Sequence, residues 1–174
     1  PWRVDEAFVR GYAPAGIILS GGPASAGAPG APRAPDVVYT LGVPVLGICY
    51  GMQVMAVQLG GQVGGDGSGE FGHAQVEDHE HAPLLTGLAD RHERGQPVLD
   101  VWMSHGDKVT TLPPGFAAIA RSPGAPVAAM ADPSRRLYAL QFHPEVTHTP
   151  QGSAILKRFL FEECGIEPLW TPAG

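Results

Sequence analysis

The sequence predicts an α/β fold, a mainly parallel central sheet flanked by helices with extra antiparallel strands, and three observations carry that expectation. Two continuously apolar runs, Gly16 to Leu19 and Val43 to Ile48, alternate with helical patterns in the first third of the chain. Strands of that kind belong to a parallel sheet covered on both faces. The second half instead holds several short strand-like stretches separated by turns, followed by one amphipathic helix.

Taken in order, Val4 to Tyr12 reads as a short helix with Ala7 and Phe8 on its apolar side, and Pro14 ends it. The strand Gly16 to Leu19 is broken by Ser20-Gly21-Gly22-Pro23, and the Ala/Gly/Pro-rich stretch up to Pro35 is a loop. Pro35 suits the first turn of a helix ending near Gly42. The strand Val43 to Ile48 runs into Cys49-Tyr50-Gly51 and a helix from Met52 to Leu59, which Gly60-Gly61 stops. Later strands are expected at Ala74 to Glu77, Val98 to Met103, Phe116 to Ala120, Val127 to Met130 and Leu137 to Phe142. A final helix over Ser153 to Cys164 carries Ile155, Leu156, Phe159 and Leu160. The Gly-rich stretch Gly64 to Gly69 is too short for a linker.

The chain has 174 residues, enough for one domain with a substantial core. Its formal charge of -6 leaves no basic stripe for nucleic acid or an anionic membrane. No apolar run approaches a membrane span, and PWRVDEAFVR lacks the apolar core of a signal peptide. Two cysteines make no disulfide framework, so a reducing cytoplasm is the expected compartment.

The segment Gly47-Ile48-Cys49-Tyr50-Gly51 places a cysteine on a sharp strand-to-helix turn, where small neighbours are needed because the backbone is strained and substrate must approach. The dipole and free N–H groups of the following helix make a sulfur there a better nucleophile. A buried structural cysteine is the bland alternative, and it fits Cys164 on the closing helix better. Of the seven histidines, His143 follows an apolar strand, and ligand sites gather at the carboxyl ends of such strands. Glu145, beyond Pro144, is placed to orient the His143 ring; a solvated turn explains His-Pro-Glu equally well. An acyl-transfer site also needs oxyanion donors, for which Gly22 and Tyr50 are the candidates. A metal site from His73, His79 and His81 with Glu77, Asp78 and Glu80 is disfavoured, because the spacing lacks a His-Glu-x-x-His or Cys-x-x-Cys pattern. No metal site is expected. Met52 and Met55 read as core.

Together, Ser20-Gly21-Gly22-Pro23, Gly47-Ile48-Cys49-Tyr50-Gly51-Met52-Gln53 and Gln141-Phe142-His143-Pro144-Glu145 resemble the three signature segments of class I (triad-type) glutamine amidotransferases. Glu70-Phe71-Gly72, Trp102 to Val109, Val146 to Thr149 and Leu169-Trp170-Thr171-Pro172 are similar to the GMP synthase family within that class. The resemblance implies a flavodoxin-like domain over residues 1–168, with 169–174 as the start of a linker to an ATP-pyrophosphatase (synthetase) domain or subunit. It implies Cys49 as nucleophile, His143 as general base and acid, and Glu145 as orienting carboxylate. It further implies that the amides of Gly22 and Tyr50 form the oxyanion hole and that Gly22, Gln53 and the Ser104-His105-Gly106 backbone hold glutamine. On the same resemblance, ammonia is expected to pass to a synthetase that converts XMP to GMP. No cofactor is implied for this domain, and ATP with Mg²⁺ for the synthetase.

Two departures accompany the resemblance. The strand and helix that usually precede the position of Pro1 are absent from this chain, and no Ser-Gly-Gly-x-Asp-Ser loop occurs. Two further readings stay open: a cysteine peptidase or γ-glutamyl hydrolase on the same fold, and a truncated, non-catalytic fragment.

Overall fold

Apolar runs set the first half of the molecule. In the computed structural model, which describes residues 3–22, 25–79 and 82–168, Asp5 caps helix α1 (Glu6–Tyr12) by accepting a hydrogen bond from the Phe8 amide at 2.8 Å. Strand β1 (Ile17–Leu19), helix α2 (Val37–Thr40), strand β2 (Val45–Ile48) and helix α3 (Tyr50–Gln58) follow. At the end of α3 Gly60 has φ 96°, and the Gly61 amide donates to the Ala56 carbonyl at 2.7 Å. The Gly-Gly pair therefore stops the helix as its backbone freedom predicts.

The second half is built from β3 (Gln62–Gly64), β4 (Glu70–Asp78), β5 (Arg91–Glu93), β6 (Gln96–His105), β7 (Lys108–Thr111), β8 (Ala117–Ser122), β9 (Ala125–Asp132) and β10 (Leu137–Leu140). Helix α4 (Gly152–Lys157) continues as a π-helical segment over Arg158–Glu163. The main sheet runs β1-β2-β10-β9-β8-β4-β6-β5, and β3 pairs with β7 in a small second sheet. Parallel pairing joins β1, β2 and β10; the pairs beyond β10 are antiparallel. Of these strands β3, β5 and β7 have no counterpart among those expected from the sequence. They are short and polar, so their pairing comes from partners elsewhere in the chain rather than from local pattern.

Period-two alternation sorts the parallel strands into two layers. Leu46, Ile48, Tyr138 and Leu140 join Phe142, Ile155 and Phe159 on one face. Val45, Leu137 and Ala139 join Met52 and Met55 on the other. Every residue from Tyr50 to Ala56 is buried, so α3 has no solvent stripe over that stretch. Cys164 packs as expected, its sulfur resting against the bare Cα of Gly16, and burial pushes its thiol up from its ordinary value.

Strand β1 forms one edge of the sheet. Beside it lies an apolar groove of about 790 Å³ lined by Val4, Phe8, Tyr12, Ile18, Pro35 and Val54 among others. The sequence pattern puts Phe8 on the covered side of α1; it is instead 56% exposed along this groove, while Val9 is the buried residue of that helix. Among the described residues no helix is long and apolar enough to cross a membrane. Residues 169–174, assigned to a linker, lie outside the described residues, as do Pro23, Glu80 and His81.

Candidate active site

Sterics build the turn at Cys49. Cys49 leaves β2 with φ 53° and ψ -107°, a strained conformation for any residue but glycine, and caps the N-terminus of α3. A Cβ on Gly47 would stand 2.8 Å from the Gly51 carbonyl oxygen, and one on Gly51 would collide with the Leu19 carbonyl of β1. Both flanking glycines are thus required by backbone approach, and the Cys49 amide donates to the Leu140 carbonyl at 2.7 Å to lock the turn onto β10.

Register brings the second turn to the first. Leu140 pairs with Ile48, so Cys49 and the residues after Leu140 emerge at the same carboxyl end of adjoining parallel strands. His143 is held by its backbone: its amide donates to the Trp102 carbonyl at 3.0 Å, and its carbonyl accepts from Thr149 Oγ1 at 2.7 Å. Its Nδ1 lies 2.6 Å from Glu145 Oε1. Hydrogen bonding to the Cys49 sulfur, reinforced by Glu145, pushes the ring up to about 9 against the opposing effect of partial burial. The three side chains assigned to a triad are joined in one chain of contacts.

On the other side of Cys49 lies a cleft of about 280 Å³. Gly22, Tyr50, Gln53, Ser104, His105 and Gly106 line it together with Cys49, so the expected oxyanion and glutamine-holding residues converge on one volume. Gly22 sits against the Tyr50 ring, where a Cβ would stand 3.0 Å from Cδ1. The ring is fixed in turn by its hydroxyl donating to the Pro32 carbonyl at 2.8 Å. Ser104 and His105 end β6 rather than lying in a loop. Gln53, 5% exposed, turns its Nε2 inward to the Asp107 carbonyl at 3.0 Å and to Gln141 Oε1 at 3.3 Å.

Sequence reasoning missed Gln141 and Thr149 as individual contributors. Gln141 is fully buried and its Nε2 donates to Cys49 Sγ at 3.6 Å; a polar residue ending an apolar strand is the signal that marks it. Thr149 ties His143 to Trp102, donating to the first and accepting the amide of the second at 3.0 Å. The histidines considered for a metal have carboxylate neighbours, His79 with Glu77 at 2.7 Å and His73 with Asp100 at 3.2 Å. Among the described residues no cluster of three or more potential metal ligands forms.

A strained cysteine turn, a histidine–carboxylate pair at the neighbouring strand end and a cleft beside the cysteine are the parts a triad-type amidotransferase site requires. The family description "Glutamine amidotransferase class-I" matches residues 2–163, and the chain belongs to that family. It is 56% identical over 98% of its length to a protein of Methylobacillus flagellatus named GMP synthase [glutamine-hydrolyzing], and 58% identical over 98% to one of the same name from Methylococcus capsulatus. The chain spans about a third of the length of those relatives. Among solved structures it superposes with a TM-score of 0.76 on a Thermoplasma acidophilum protein described as a "putative gmp synthase subunit a protein", at 29% identity, covering 95% of this chain and 79% of that one. A glutamine amidotransferase from Thermotoga maritima shares the fold at a TM-score of 0.60 and 23% identity, covering 88% of this chain and 66% of that one.

Proposed function

We propose that this chain is the glutamine-hydrolysing unit of a GMP synthase, delivering ammonia to a synthetase domain or subunit that converts XMP to GMP with ATP and Mg²⁺. The observation that carries the reading is the Cys49–His143–Glu145 chain at the ends of β2 and β10, with Cys49 lining a cleft sized for one amino acid. The Cys49 sulfur, its proton passed to His143, attacks the side-chain amide carbon of glutamine, and the amides of Gly22 and Tyr50 receive the developing oxyanion. His143 gives its proton to the departing nitrogen, so the C–N bond breaks, ammonia leaves and a γ-glutamyl thioester remains. Water then adds to the thioester while His143 takes its proton, and the C–S bond breaks to release glutamate. Glu145 holds the ring in the orientation both steps need.

With Gln53 Nε2 engaged inside the protein, its Oε1 is the atom left to meet the substrate ammonium, beside the Ser104 to Gly106 backbone. The formal charge of -6 fits a small-molecule substrate and a protein partner in the cytoplasm better than nucleic acid or a membrane.

The test is glutamate release by the purified chain, alone and with a separately expressed synthetase domain, ATP, Mg²⁺ and XMP. Slow release alone and faster release with the full mixture is expected, because a partner that biases an oxyanion-hole loop changes the rate by about 10²–10³. Faster cleavage of γ-glutamyl peptides than of free glutamine would instead assign a γ-glutamyl hydrolase or peptidase.

A further inference from the structure

Glu70 opens a motif for which the proposed chemistry has no role. Its carboxylate is only 15% exposed in the side chain and lies behind the cleft rather than among the residues lining it. Oε1 accepts from His105 Nε2 at 2.9 Å and from Ser122 Oγ at 2.8 Å, and Oε2 accepts from the Gly124 amide at 3.3 Å. The His105 side chain is wholly buried, and its Nδ1 faces the Asp107 carbonyl at 3.0 Å. The ring is thus held from both ends, by the Glu70 carboxyl at Nε2 and the Asp107 carbonyl at Nδ1. The same Asp107 carbonyl takes Gln53 Nε2, and Gln53 leads to Gln141 and the Cys49 sulfur.

The backbone between these contacts forms the cleft wall. Ser104, His105, Gly106 and Asp107 all line it, and the Ser104 carbonyl also accepts from Cys49 Sγ at 3.4 Å. Behind it the Gly-rich stretch lies in direct backbone contact: a Cβ on Gly65 would stand 2.9 Å from the Gly106 carbonyl, and one on Gly69 would collide with the His105 carbonyl. The segment is therefore confined from behind and tied through one buried ring to one carboxylate.

We propose that Glu70 is a positioning residue for the glutamine cleft, acting through His105 to set the Ser104 to Asp107 wall and anchoring that wall to the β8–β9 turn at Ser122 and Gly124. This rests on the glutaminase reading above. Replacing the carboxylate by an amide removes the charged partner of the buried His105 ring, and the wall relaxes where substrate, not the sulfur, feels it.

Two variants approach the carboxylate from different sides. Glu70→Gln removes its charge. Gly124→Ala acts from outside the cleft: a Cβ there would stand 2.5 Å from Glu70 Cγ, and Gly124 has no positive φ to strain. Steady-state glutaminase kinetics are measured with thermal melting and with Cys49 alkylation by iodoacetamide and by a glutamine-like chloroketone. Glu70→Gln is expected to raise KM about tenfold, the size of one charge-assisted hydrogen bond. kcat should stay within about threefold and iodoacetamide reactivity within about twofold, and Gly124→Ala should move KM in the same direction by less. Chloroketone labelling should slow in step with KM. Unchanged KM in both folded variants overturns the proposal, as does a fall in kcat or melting temperature with KM unchanged. Absence of turnover in the wild type counts against the glutaminase reading alone, and the ratio of chloroketone to iodoacetamide labelling then decides the positioning role.

Discussion

The turn carrying Cys49 and the turn carrying His143 end neighbouring strands, but they are held by different forces. Around Cys49 the constraint is collision: Gly47 against Gly51, and Gly51 against Leu19, leave no room for a side chain. Around His143 the constraint is hydrogen bonding, from Trp102, Thr149 and Glu145, and the Glu145 side chain is 50% exposed. Steric constraint is all-or-none on the scale of a methyl group, whereas an exposed ion pair is worth only about 1 kcal/mol or less. Substitutions at the first turn should therefore threaten the fold, and those at the second should mainly grade the chemistry.

The largest effect expected is on turnover. Cys49→Ala should lower glutamine hydrolysis by about 10⁴-fold or more, because no thioester can form. Cys49→Gly should be equally inactive but more stable than Cys49→Ala by about 1 kcal/mol, since glycine relieves the positive φ. Denaturant unfolding of the two checks this, and equal stabilities would mean the turn is not strained.

His143→Ala comes next, with kcat falling about 10²–10⁴-fold as the proton carrier is lost. Glu145→Ala should cost roughly fivefold, the rate equivalent of an exposed pair worth ~1 kcal/mol. Steady-state kinetics separate them; an unchanged rate in Glu145→Ala would reduce the triad to a Cys–His pair.

Gly51→Ala should destabilise the fold by about 3 kcal/mol or more through overpacking against β1. A wild-type melting temperature would show that helix α3 can shift, and would break the contrast between the turns.

A subtler effect concerns the His143 proton. NMR titration should find the ring near 9, and Cys49→Ala should bring it down toward its ordinary 6.5, because the sulfur is the main cause of the rise. The sign for stability follows from a raised folded value: the contribution is fully present below about pH 6.5 and is lost as pH climbs through about 9. The stability difference between wild type and His143→Ala should accordingly shrink from pH 6 to pH 10. No change in the His143 titration on removing the sulfur would place the cause elsewhere.

Cys164→Ala should be the mildest, within about 1 kcal/mol in stability and silent in turnover, because that half-buried sulfur serves packing, against Gly16 and the core. A large loss of activity would contradict its placement in the core layer.

Local chemistry made part of this molecule legible in the amino-acid string. The apolar runs at Val45 to Ile48 and Leu137 to Leu140 announce buried strands, the glycines around Cys49 announce a tight turn, and Gly60-Gly61 announces a helix end. These signals depend on neighbours in sequence, so no folding is needed to read them. Phe8 shows the limit, since an apolar face predicts burial only where another element covers it, and here it borders an open groove.

What the sequence by itself determined is thus the α/β class, the glycine-flanked turn at Cys49 and, through the joint motifs, the expectation that His143 and Glu145 accompany it. Tertiary structure alone decided that β10 pairs in register with β2, which carries His143 to Cys49 across most of the chain. It also decided that Glu70 meets His105 and Ser122, that Gln141 touches the sulfur, and that Thr149 holds the His143 backbone. The physical reason is range: a turn or a strand is set by interactions a few residues apart. A buried hydrogen bond between distant residues exists only once the sheet has fixed which strands are neighbours and in which register.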